Sequence, residues 1–156
     1  MNLSLYLDFT FILILAFCLS KKPLLVLENI FIFIITEFLI SSYYGILIIN
    51  TNVADVSQEN DHLIIFRISE IITTPLLMLW FHNLLSVIKT PFYRISFSIL
   101  FIALMYSLEL LLVYWKVIIY HDWGIWNSFL AIPIILLIST TLHKVFRYML
   151  RKEGIQ

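Results

Sequence analysis

The chain has 156 residues, of which 62% are hydrophobic, 16% aromatic and only 13% charged, with a mean hydropathy of +0.98 and no formal net charge. A soluble domain is roughly a quarter charged, and so few polar side chains cannot cover a water-facing surface. The composition excludes a soluble fold, the absent net charge implies no nucleic-acid partner, and the lipid bilayer is left as the solvent.

Five apolar runs follow one another, at about residues 3–20, 24–50, 63–88, 95–120 and 126–146. Backbone polar groups in lipid must be bonded within the segment, so each run is expected to be a helix. The expected fold is an all-α, polytopic transmembrane helix bundle with five spans in a single domain. Run one is followed, not preceded, by Lys21-Lys22-Pro23. A signal peptide has the opposite polarity, so the run reads as a retained helix. It is short and carries Asp8. The alternative is four spans with this first helix lying on the interface. Cys18, the single cysteine, sits in the same run and has no partner for a disulfide or a zinc site.

The loops sort by charge. Lys21, Lys22, Lys89, Arg94 and the tail residues Lys144, Arg147, Arg151 and Lys152 fall on one side of five spans. The stretch 51–62, with Asp55, Glu59 and Asp61, and the pair His121-Asp122 fall on the other. The positive-inside rule then places the amino terminus outside and the carboxyl terminus in the cytoplasm.

Polar residues inside the runs lie in stripes that are expected to face the bundle interior. Run two carries Glu37, Ser41 and Tyr44. Run three carries Arg67, Glu70, Thr74 and His82, with Pro75 breaking the backbone ladder and predicting a kink. Run four carries Ser98, Met105, Glu109, Lys116 and Tyr120, with Glu109 and Lys116 two turns apart on one face. Run five carries Ser128, Ser139 and His143. By depth, Asp8, Arg67, Glu70, Glu109 and Lys116 crowd the outer half of the core, and Glu37 sits near the middle.

Two readings of this cluster stand side by side. One is an ion-pair network that fixes helix register. Arg67 and Glu70 pair within their own helix, and Arg67 or Lys116 meets Glu70 or Glu109 across the hairpin of runs three and four. The other is a proton or cation site, because four carboxylates exceed two bases; Glu37, deepest and furthest from either base, is the expected carrier. Glu28, one turn from Lys21 and Lys22, is expected to snorkel to the inner surface. His82 and His143, at matched depth on two helices, invite a haem reading, but no His-x-x-His or Glu-x-x-His spacing accompanies them, and neither metal nor cofactor is expected.

Phosphate loops and hydrolase motifs are absent from the sequence, and no loop is long enough for a catalytic domain. The expectation is a non-enzymatic accessory or sensing subunit acting through helix–helix contacts, with a second copy or another membrane protein as partner. The alternative is a small proton- or cation-coupled transporter or channel using buried carboxylates.

Ser69-Glu70 with Pro75, Phe81-His82-Asn83, Glu109, the run Tyr120 to Trp126 and the tail Phe146-Arg147-Tyr148 form a pattern over about residues 69–148. In these features the chain resembles a small family of uncharacterised integral-membrane proteins of spore-forming Gram-positive bacteria. The resemblance implies a multi-pass protein of the bacterial cell membrane. That family carries no known activity to transfer.

Overall fold

The computed structural model describes residues 2–121 and 123–154. They form an all-α bundle of five helices long and apolar enough to cross a membrane: Asn2–Leu19, Val26–Asn50, Asn60–Val87, Pro91–Tyr114 and Trp126–Lys152. The first is α1 (Asn2–Leu19). The second joins α2 (Val26–Gly45) to a π-helical turn (Ile46–Asn50). The third joins α3 (Asn60–Ile68) to a second π turn (Ser69–Thr73) and α4 (Thr74–Val87). α5 (Pro91–Tyr114) and α6 (Ile125–Lys152) complete the bundle.

The first run is one unbroken helix of 18 residues, about 27 Å at the helical rise and long enough to span. It docks on the bundle: the Thr10 hydroxyl lies 3.0 Å from that of Thr73, and Tyr6 and Leu13 are buried on the same face. The four-span alternative is not what the chain adopts.

α2 runs through the middle of the bundle, packed on α4 and α6. Its buried positions, Glu28, Ile32, Thr36, Ile40 and Tyr44, recur every fourth residue, so one stripe of the helix meets both neighbours. α1 covers α3 and α4, and α5 lies against α4 and α6, where Phe97 stacks on the buried Phe81 and Phe101 meets it at a tilt.

The proline in the third helix acts through a local change of winding. Pro75 offers no N–H to Ile71, and the preceding π turn holds an extra residue, with the Thr74 N–H bonded five residues back to Ser69. Such a turn makes room for a proline ring in a continuous helix.

The fourth run is shorter than expected. α5 stops at Tyr114, and Lys116 takes a positive φ of 56° in the turn that follows. Ile118–Tyr120 then forms a strand, β2, antiparallel to β1 (Ala54–Val56), with Ala54 opposite Tyr120 and Val56 opposite Ile118. Run four therefore does not reach Tyr120 as a helix. Its last β-branched residues pair instead with the polar loop after the second helix, and the two loops close that end of the bundle. Lys21, Lys22, Lys89, Arg94, Arg151 and Lys152 flank the helices at the opposite end, whereas Lys116 stays at the sheet end.

Candidate functional site: carboxylates inside the bundle

Among the described residues three carboxylates are buried in the bundle, and each has a different kind of partner. At the end closed by the sheet, Glu109 projects from α5 with 7% of its surface exposed. Its Oε1 accepts a hydrogen bond from the Tyr43 hydroxyl of α2 at 3.1 Å and a short one from the Tyr120 hydroxyl of β2. Ser128 of α6 completes the group. Its Oγ lies 3.1 Å from the Tyr43 hydroxyl and accepts from the Trp123 indole N–H at 2.9 Å. Hydroxyls from α2 and β2 thus donate to one carboxylate of α5, and Ser128 of α6 meets both of those hydroxyls. Below it lies a cavity of about 30 Å³ bordered by Tyr44, Ser69, Thr74 and Met105, large enough for a water molecule.

Glu70 occupies the second π turn and is buried, with Arg67 Nη1 2.7 Å from its Oε2. The expected intrahelical pair is present. Arg67 lies along the surface, 67% exposed, and rests on the Phe66 ring. Both residues border a groove of about 310 Å³ between α3 and the far end of α2, where Ser41, Tyr44 and Gly45 form the opposite wall. Glu37 lies one turn further along α2, partly exposed, and accepts a hydrogen bond from Ser41 at 3.1 Å.

The third carboxylate is Glu28, at the basic end. It was expected to reach the surface and is instead 1% exposed. Its Oε2 accepts from the Leu25 N–H at 2.9 Å, capping the first turn of α2. Its Oε1 lies 3.3 Å from both His143 Nε2 and Arg147 Nε of α6. The His143 ring stands edge-on to that of His82, whose Nε2 meets Ser139. Each Nε2 atom thus has a hydrogen-bonding partner within the bundle. Among the described residues no three His, Cys, Asp or Glu side chains gather as metal ligands.

The structure brings together some of the expected residues and separates others. Arg67 and Glu70 meet. Glu109 is bound by hydroxyls, and no ion pair joins it to Arg67 or Lys116 among the described residues. Lys116 cannot share a helical face with Glu109, because it lies beyond the helix end and is exposed. Asp8 is also exposed, on the outer face of α1 rather than in the interior cluster, since the buried stripe of that helix runs through Tyr6, Thr10 and Leu13. Asp122 lies outside the described residues. The stripe of Ser128, Ser139 and His143 on α6 does face the interior.

Tyr43, Tyr120 and Trp123 were not foreseen as partners of Glu109 and Ser128. The four-residue spacing of Glu28 with Ile32, Thr36 and Ile40 was the available sign that Glu28 belongs to the buried stripe. A scan against protein-family models finds no match, and searches of curated proteins and of solved structures find none either.

Proposed function

We propose that the chain is a non-enzymatic integral membrane protein, an accessory or sensing subunit that works through helix–helix contact with a second copy or another membrane protein. The observation that carries this reading is Glu37. It is 11 residues from the start of its spanning segment and 13 from the end, so it lies near mid-membrane, and it stays partly exposed with the Ser41 hydroxyl as its hydrogen-bond donor. A carboxylate at that depth requires a polar partner or a wet cavity. Polar side chains that one bundle leaves on its flank are the ones that join transmembrane helices of different chains. Asp8, exposed on α1, adds a second such group. The experiment is purification in mild detergent followed by mass measurement. The expected result is an oligomer or a co-purifying membrane protein, weakened by Glu37→Gln. A strict monomer without companions overturns the reading.

The proposed setting is the bacterial cell membrane, with the amino end outside and the carboxyl end in the cytoplasm. Lys21, Lys22, Lys89, Arg94 and the basic stretch of α6 at one end of the bundle support that orientation, as do Asp55, Glu59 and Asp61 at the other.

A proton- or cation-coupled transporter is the second reading. Glu109, with hydroxyl donors and an adjoining cavity of about 30 Å³, supports it. Proteoliposomes would then carry a pH-driven flux that Glu37→Gln or Glu109→Gln abolishes and Glu59→Gln, in the exposed loop, leaves intact. A parent protein with no flux removes this alternative.

A further inference from the structure

At the basic end a cavity of about 150 Å³ opens between α4, α5 and α6. Three cations border it: Arg94 from the first turn of α5, and Lys144 and Arg147 from α6. On α6 the positions 140, 144 and 147 lie one helical turn apart, so the Thr140 hydroxyl and the two bases line a single face. His82 and Ser86, also one turn apart, form the α4 wall, and His143 closes the floor. Glu28, behind the floor, touches this group and fixes the guanidinium of Arg147 through Nε. Three basic side chains, a threonine and a serine thus border one half-open space.

We propose that this pocket binds the phosphate group of an anionic ligand. Arg94 and Lys144 are exposed where they border the cavity, and they reach it from two different helices. Arginine and lysine side chains converging with a hydroxyl on one side form the donor set that a tetrahedral oxyanion takes. Basic pockets between transmembrane helices at the membrane surface suit phospholipid headgroups. Leu84 and Val87 of α4 and Val145 of α6 remain exposed nearby, apolar surface along which acyl chains can lie. The same donors would take a soluble phosphate. The inference is independent of the partner reading, since neither Glu37 nor Asp8 borders the pocket.

The test uses the full chain purified in a zwitterionic detergent, with thermal stability and retained lipid measured as phosphatidylglycerol, phosphatidylcholine or inorganic phosphate is added. Phosphatidylglycerol should stabilise the protein and phosphatidylcholine should not. Stabilisation by inorganic phosphate alone would assign the site to a soluble ligand. Arg94→Gln with Lys144→Gln should weaken phosphatidylglycerol binding about thirtyfold, from roughly one interaction's worth per basic residue. Lys21→Gln with Lys152→Gln removes equal charge at the same end but outside the pocket, and should leave binding unchanged. Thr140→Leu fills the pocket without altering charge and should abolish binding, which keeps the test valid if the charge variant folds poorly. The proposal is overturned if no phosphate-bearing probe stabilises the parent. It is also overturned if the pocket variants bind as the parent does, or if the control pair loses as much as the pocket pair.

Discussion

Glu28 and Arg147 form a pair whose two members are buried to different depths, and that difference fixes which single substitution costs more. Glu28 is 1% exposed and Arg147 is 40% exposed, with Oε1 and Nε 3.3 Å apart. Arg147→Gln leaves a carboxylate inside the bundle with only the Leu25 amide and His143 as donors. Stranding a buried charge in this way costs about 3–5 kcal/mol, and those two donors hold it to the lower end, about 3 kcal/mol. Glu28→Gln keeps the side-chain shape and an oxygen that still caps α2. The Arg147 guanidinium is 40% exposed and can turn to water, so the loss is only about 1 kcal/mol. The double variant strands neither charge and should fall short of the summed losses by about 1–2 kcal/mol. The assay is reversible unfolding in mixed detergent micelles on the parent, the two single variants and the double variant. Additive losses, or a Glu28→Gln cost equal to or above that of Arg147→Gln, would refute the reasoning.

Arg67 and Glu109 do not touch, so the losses from Arg67→Gln and Glu109→Gln should add to within about 0.5 kcal/mol in the same assay; a marked shortfall in the double variant would show a coupling that the geometry lacks. Tyr120→Phe removes a donor from Glu109 and should cost about 1–3 kcal/mol near neutral pH, read as a lowered unfolding midpoint. Burial, and then the charge of Glu109, push the Tyr120 phenol well above its ordinary range. The unfolded chain therefore loses this proton first, and the stability due to Tyr120 is intact below about pH 10 and declines above it. Tyr120→Phe should blunt that alkaline decline, as followed by unfolding midpoints across a pH series. A reporter fused after residue 156 should read cytoplasmic and one inserted near Ser57 external; a cytoplasmic signal at Ser57 would reverse the orientation.

The number of spans was legible because hydropathy is a property of each run by itself. The positions of the charged groups were legible only where the partner lies on the same helix. Arg67 and Glu70, three residues apart, were paired from spacing alone. Glu28 was misplaced because the bases nearest in sequence, Lys21 and Lys22, pointed to the surface, while its partners His143 and Arg147 arrive from the other end of the chain. Run four was drawn too long because Val117 to Tyr120 is as apolar as the helix before it. Its pairing with Ala54–Val56 is invisible to any local window. Lys116 and Asp8 were assigned to the interior on the rule that charges avoid lipid. At a helix end or on an outer helical face that rule gives way, because water or a neighbouring chain can meet the charge.

The strand pair also sets an order of assembly. During synthesis β1 emerges directly after the second helix, but β2 is not made until α5 has been completed, more than sixty residues later. Folding proceeds from the amino end as the chain is made, so the polar loop must wait with its strand edge unpaired while two spanning helices are inserted. Only when the α5–α6 connection reaches it can Tyr120 turn inward to Glu109. Closure of this end is thus a late, non-local event of the kind that slows folding. A chain that ends after α5 but before β2 would carry Glu109 in the membrane without its Tyr120 hydroxyl, and such a nascent intermediate is the one that quality-control proteases would be expected to meet.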